Sequence, residues 1–124
     1  MKLGCVIVFA KDLVKMRAFY EGGLGLKVID VQEGWVKLEA GGASVALHAI
    51  PGDIAATIEI ADPPAARERT PLKLVFDVDD LEATLSSLRN SGGCMFQPRR
   101  GARSISCDGI DPEGNVFNIA QATG

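Results

Sequence analysis

His48 is the only histidine in 124 residues, and an imidazole titrates near enough to neutrality to act as a general base or to contact a ligand. No spacing in the chain identifies a serine, cysteine or carboxylate as its catalytic partner, so a hydrogen-bonded or ligand-contacting histidine is the preferred reading. Cys5, Cys94 and Cys107 cannot all pair internally and show no Cys-x-x-Cys spacing, which points to reduced thiols rather than a disulfide framework. A nucleophilic Cys5 would need a neighbouring positive charge to hold its thiolate; inert packing is the commoner role of such a thiol. Trp35, the only tryptophan, suits either stacking on a planar ligand or capping a hydrophobic surface. Arg99, Arg100 and Arg103 form a small basic cluster, solvated loop charge in the first instance and an anion contact in the second, with Arg103 kept as a candidate ligand-binding residue. Asp79, Asp80 and Asp111 look like catalytic carboxylates on paper, but a helix start and a turn are where carboxylates cap free N–H groups.

The elements that must carry these side chains come in two similar sets. Val8-Phe9-Ala10-Lys11-Asp12-Leu13 returns as Phe76-Asp77-Val78-Asp79-Asp80-Leu81, an offset of 68 residues between Asp12 and Asp80. In both copies an apolar run stops at Asp-Leu and gives way to helical periodicity, with the aspartate placed as an N-cap. Leu13, Met16, Phe19 and Tyr20 mark one face of the first helix, and Leu81, Leu85 and Leu88 mark the second. Glycines close each helix: Gly22, Gly23 and Gly25, then Gly92 and Gly93. Around the first helix the pattern predicts strands over 3–10, 26–31, 35–39 and 44–50, a βαβββ unit. Residues 60–71, with Pro63-Pro64, read as a linker that has room for a short helix at 65–68. The second unit is expected to place strands at 72–78, 94–97, 102–108 and 115–120, the last pair joined by the turn Asp111-Pro112-Glu113-Gly114-Asn115.

Composition narrows the classes. With 47% hydrophobic residues the chain can build a core, and its length suits one domain: module one at 1–60, a linker at 61–71 and module two at 72–124. Its apolar runs are too short to span a bilayer, and no secretory signal is evident, so the cytoplasm is the expected compartment. A net charge of −3 and 6% aromatic residues give no basic footprint, which argues against nucleic acid as a partner.

Together these features resemble the vicinal oxygen chelate superfamily, which includes glyoxalases, bleomycin-resistance proteins, fosfomycin-resistance enzymes and extradiol dioxygenases. The resemblance rests on the strand leading into Lys11-Asp12-Leu13, the helix ending in Phe19-Tyr20-Glu21 before Leu24-Gly25-Leu26, the strand exit Phe76 to Leu81 and the turn Asp111 to Asn115. It implies an α+β fold in which two βαβββ modules form curved mixed sheets around a cleft, glyoxalase/bleomycin-resistance-like, and it implies a homodimer.

In metal-using members of that superfamily, His, Gln or Glu side chains from the first and last strands of each module hold a divalent metal. The resemblance maps those positions onto Cys5, His48, Lys73 and Asn118, with His48 taken as the first-module counterpart of Asn118. Only His48 is a strong donor there; the Lys73 ammonium would repel a dication and an asparagine carbonyl is a weak ligand. No metal ligand or cofactor is therefore assigned, a divalent metal being disfavoured. The expected function is a small-molecule binding protein whose organic ligand, an anion among the candidates, meets Cys5, His48, Lys73, Asn118, Trp35 and Arg103. The alternative is a divergent lyase, isomerase or dioxygenase with a remodelled metal site or with His48 as acid/base catalyst.

Overall fold

A computed structural model describes residues 1–124, which form two compact units, Met1–Glu59 and Ile60–Gly124. In the first, strand β1 (Cys5–Ala10) leads into helix α1 (Leu13–Arg17), which runs on as a π-helical turn over Ala18–Gly23. Asp12 caps the helix by accepting a hydrogen bond from Lys15 N at 3.1 Å. Strands β2 (Lys27–Gln32), β3 (Trp35–Ala40) and β4 (Ala43–Ala49) follow. The sheet order is β1-β4-β3-β2, with β1 parallel to β4 and the other pairs antiparallel. Two-residue alternation turns Val36, Leu38, Val45 and Leu47 to one face, where they are buried together with Met16, Phe19 and Tyr20 of the helical segment. Each such side chain withdrawn from water contributes roughly 1.5–3 kcal/mol. The other face carries Ile7 and Phe9, 46% and 59% exposed.

The second unit repeats this plan. Strand β5 (Leu74–Asp77) precedes helix α3 (Leu81–Leu88), capped by Asp80, whose side chain accepts from Ala83 N at 3.0 Å. The caps therefore stand at equivalent places 68 residues apart, as the repeat predicts. Gly25 and Gly92 take φ of 72° and 91° after the two helical segments, the left-handed conformation that only glycine enters freely. Strands β6 (Cys94–Met95), β7 (Arg99–Arg100), β8 (Ser104–Ile110) and β9 (Val116–Ala122) complete the unit. Its sheet runs β5-β9-β8-β6, with β7 also on β8 and β5 parallel to β9. Leu81, Leu85, Leu88, Cys107, Phe117 and Ile119 are buried. Two mixed, open sheets and an α+β composition thus match the expected fold class.

The linker departs from expectation. Residues 65–68 form no helix; a short helix α2 (Gly52–Ala55) lies upstream instead, behind Pro51, whose φ of −51° suits a helix entry. The linker backbone finds its partner elsewhere, with Arg67 N donating to Gly114 O at 2.8 Å. That contact is possible because residue 114 is glycine. A Cβ there would lie 2.1 Å from the Ala65 carbonyl oxygen. The turn beneath is held by Asp111, fully buried, which accepts from Glu113 N, Asn115 N and Asn115 Nδ2 at 2.8–3.0 Å. Asp80 and Asp111 are thus capping residues, as their settings suggest. No helix is long and apolar enough to cross a membrane.

Candidate functional site

The β8–β9 ladder places Asp108 directly opposite Asn118, and side chains opposite each other in an antiparallel pair share a face. Asn118 Nδ2 donates to Asp108 Oδ1 at 2.9 Å. Lys73 Nζ, just ahead of β5, donates to the same oxygen at 3.3 Å, and an Arg99 guanidinium nitrogen reaches Oδ2 at 3.1 Å. One carboxylate thus gathers an amide and two cations. The Asn118 amide above all, then Lys73 and Arg99, hold the Asp108 carboxyl below its ordinary pKa, while burial pulls the other way. The cluster leaves cationic groups reachable by solvent, since the Lys73 and Arg99 side chains are 47% and 74% exposed.

On the first sheet a row of rings crosses three strands. Phe9 pairs with His48, and His48 with Trp35. Ring centroids lie 5.8 Å apart in the first pair and 5.6 Å in the second, the latter edge to face. His48 is therefore an aromatic neighbour first, and its ring contacts are apolar. Cys5 pairs with Ser44, four residues along β1 from Phe9, so it stands about 13 Å down the ladder from the His48 rung at 3.3 Å per residue. Its thiol donates to Val6 O at 3.6 Å. His48 consequently does not activate Cys5 within this sheet.

Strand register corrects one equivalence. Asn118 pairs with Val75, the repeat counterpart of Ile7, and Ile7 pairs with Ala46. The first-module counterpart of Asn118 is thus Ala46, and His48 lies one rung beyond it on the same face. The parallel ladder between the first and last strand of each unit sets this equivalence, which residue type alone does not.

The basic cluster divides as well. Arg99 joins Asp108, whereas Arg103 sits exposed ahead of Ser104, at the end of β8 away from the turn, where Arg103 O accepts from Thr123 N. Arg103 is five residues from Asp108, roughly 16 Å along a strand. Sequence reasoning passes over Asp108 and Phe9, and takes Arg99 only as one member of the basic cluster. Asp108 was within reach: the 102–108 and 115–120 strands fold about Glu113, and symmetric counting across that turn sets 108 against 118.

A model of the Glyoxalase/Bleomycin resistance protein/Dioxygenase superfamily matches residues 2–119. The chain belongs to that superfamily. Solved structures share the superfamily fold at low identity. The glyoxalase/bleomycin resistance protein/dioxygenase family enzyme of Burkholderia phytofirmans PsJN has a TM-score of 0.76 at 22% identity, covering 99% of this chain and 100% of its own. A glyoxalase-related enzyme from Fulvimarina pelagi gives 0.74 at 14%, over 97% and 87% of the two chains. TnmS3, an antibiotic binding protein from Streptomyces sp. CB03234, gives 0.69 at 21%, over 99% and 97%. No curated protein matches.

At Lys73 and Asn118, two of the positions onto which the resemblance maps metal ligands, and at Asp108 beside them, the residues present do not suit a divalent ion. Lys73 brings an ammonium, Asn118 turns its amide nitrogen to Asp108, and Asp108 is already engaged by two cations. No group of three or more His, Cys, Asp or Glu side chains converges to hold a metal. The arrangement suits binding an anionic or polar group with apolar surface nearby.

Proposed function

We propose that this superfamily member is a small-molecule binding protein that works without a catalytic metal and holds an organic, preferably anionic, ligand. The single observation behind this reading is the Lys73–Asp108–Arg99 cluster, two solvent-reachable cations anchored on one carboxylate. A cation held in place by a hydrogen-bonded counter-ion loses little freedom when it meets an anion. Asn118 supplies an amide beside it, with Arg103 further along β8; on the first sheet, Cys5, His48 and Trp35 are separate ligand-contact candidates of the same reading. The fold shared with an antibiotic binding protein adds support at the level of architecture. A cytoplasmic homodimer belongs to the same reading, supported by three free cysteines and by the family resemblance; light scattering reports the mass.

Calorimetric titration of a metabolite and antibiotic panel tests the reading. The expected result is at least one saturable ligand whose affinity falls tenfold or more in Lys73→Ala. A panel without a binder, or a ligand indifferent to Lys73→Ala, overturns it. A stoichiometric Ni, Zn, Fe or Mn content that vanishes in His48→Ala would replace it with a metalloenzyme.

A further inference from the structure

Linker residues Ala66 to Glu68, Thr70 and Pro71, with Leu72, Lys73, Phe96 and Val116, line an open pocket of about 410 Å³ in the second unit, within the roughly 300–1,000 Å³ usual for small-molecule sites. Lys73 lines it, and so does Val116, two residues before Asn118 on the same strand face. The pocket therefore adjoins the Lys73–Asp108–Asn118 cluster. Its linker wall is anchored. Arg67 N is bonded to Gly114 O at 2.8 Å, and the Thr70 hydroxyl donates to the carbonyls of Arg67 and Leu72 at 3.4 Å. A wall already ordered loses less entropy when a ligand arrives.

The lining has two characters. Phe96 and Leu72 are 47% and 72% exposed, large apolar side chains turned to water beside Val116. Arg67 and Lys73 bring cationic groups to the lining and Glu68 a carboxylate, with Lys73 also held by Asp108. We propose that this pocket takes a monocarboxylate with an aromatic or aliphatic body: its acid group meets Lys73 and Arg67, and its body packs on Phe96, Leu72 and Val116. This rests on the small-molecule reading above and gives it a ligand class and a place. A planar guanidinium such as that of Arg67 pairs with a single carboxylate through two parallel hydrogen bonds.

Calorimetry with 2-naphthoate and the neutral 2-naphthamide, on the full chain, tests the proposal. The naphthoate is expected to saturate in the sub-millimolar range and the amide to bind at least tenfold more weakly. Arg67→Ala and Phe96→Ala should each weaken the naphthoate at least fivefold, and Val14→Ala, an exposed position on α1, should leave it unchanged. Should either pocket variant misfold, naphthoate-induced amide shifts at Thr70, Leu72 and Val116 in the unmodified protein give the same answer. Naphthoate binding that ignores charge, or that responds to neither pocket variant, overturns the pocket and leaves small-molecule binding standing. Failure of naphthoate with success elsewhere in the broad panel does the same; failure of both removes the two readings together.

Discussion

Lys73 and Asp108 lie 35 residues apart in sequence, yet Lys73 Nζ meets Asp108 Oδ1 at 3.3 Å. The carboxylate also accepts from Asn118 and Arg99, so one acceptor holds an amide and two basic side chains. Removing the carboxylate would leave those cations facing each other without their shared partner.

Asp108→Asn is expected to lower unfolding free energy at pH 7 by about 1 kcal/mol. The hydrogen bond to Asn118 is part-buried, but solvent screens the contributions of the more exposed Lys73 and Arg99. The sign follows from a folded-state pKa that is depressed. Stability from ionised Asp108 is fully present above the unfolded carboxyl value of about 4, and is lost as the pH falls from there through the folded value. Urea unfolding of both proteins between pH 7 and pH 2 should show the gap between them closing below about pH 4. A gap that widens on acidification contradicts the assignment.

Gly114→Ala is expected to destabilise the protein by about 2 kcal/mol, through a side chain at φ of 86° and a clash with the Ala65 carbonyl. The backbone partner on each side cannot rotate away as a flexible side chain would. Thermal unfolding measures the loss, and trypsin should cut faster after Arg67 and Arg69 in the variant. Unchanged cleavage within 60–71 would mean that the linker is held by other contacts.

Cys94 is exposed and Cys107 buried. Burial first, then the neighbouring Asp108 charge, pushes the Cys107 thiol above its ordinary pKa, so less of it is thiolate at pH 8. Iodoacetamide at that pH should modify Cys94 at least tenfold faster in the folded protein, with the two rates converging in denaturant. Peptide mass mapping over time reads both sites; equal rates in the folded protein would contradict the burial of Cys107.

Most of the architecture was legible in the chain because its signals are local. An aspartate before an apolar period caps a helix wherever it occurs, and Asp12 and Asp80 do so 68 residues apart. Met16, Phe19, Tyr20, Leu81, Leu85 and Leu88 are buried as their spacing requires. The linker was less legible. Its apparent helix at 65–68 competes with a backbone bond from Arg67 to Gly114, a partner 47 residues away that no local period announces.

The candidate site divides along the same line. Residue types alone establish that Lys73 and Asn118 are poor metal ligands, because charge and donor strength belong to the side chain wherever it sits. That Lys73 is held by Asp108, that Arg99 rather than Arg103 joins them, and that Ala46 stands where His48 was expected all depend on strand register. Register is fixed by hydrogen bonding between distant segments, and a shift of two residues keeps every side chain on its face while changing every neighbour. Pattern within one strand is therefore enough to find the face, and pairing between strands is needed to find the site.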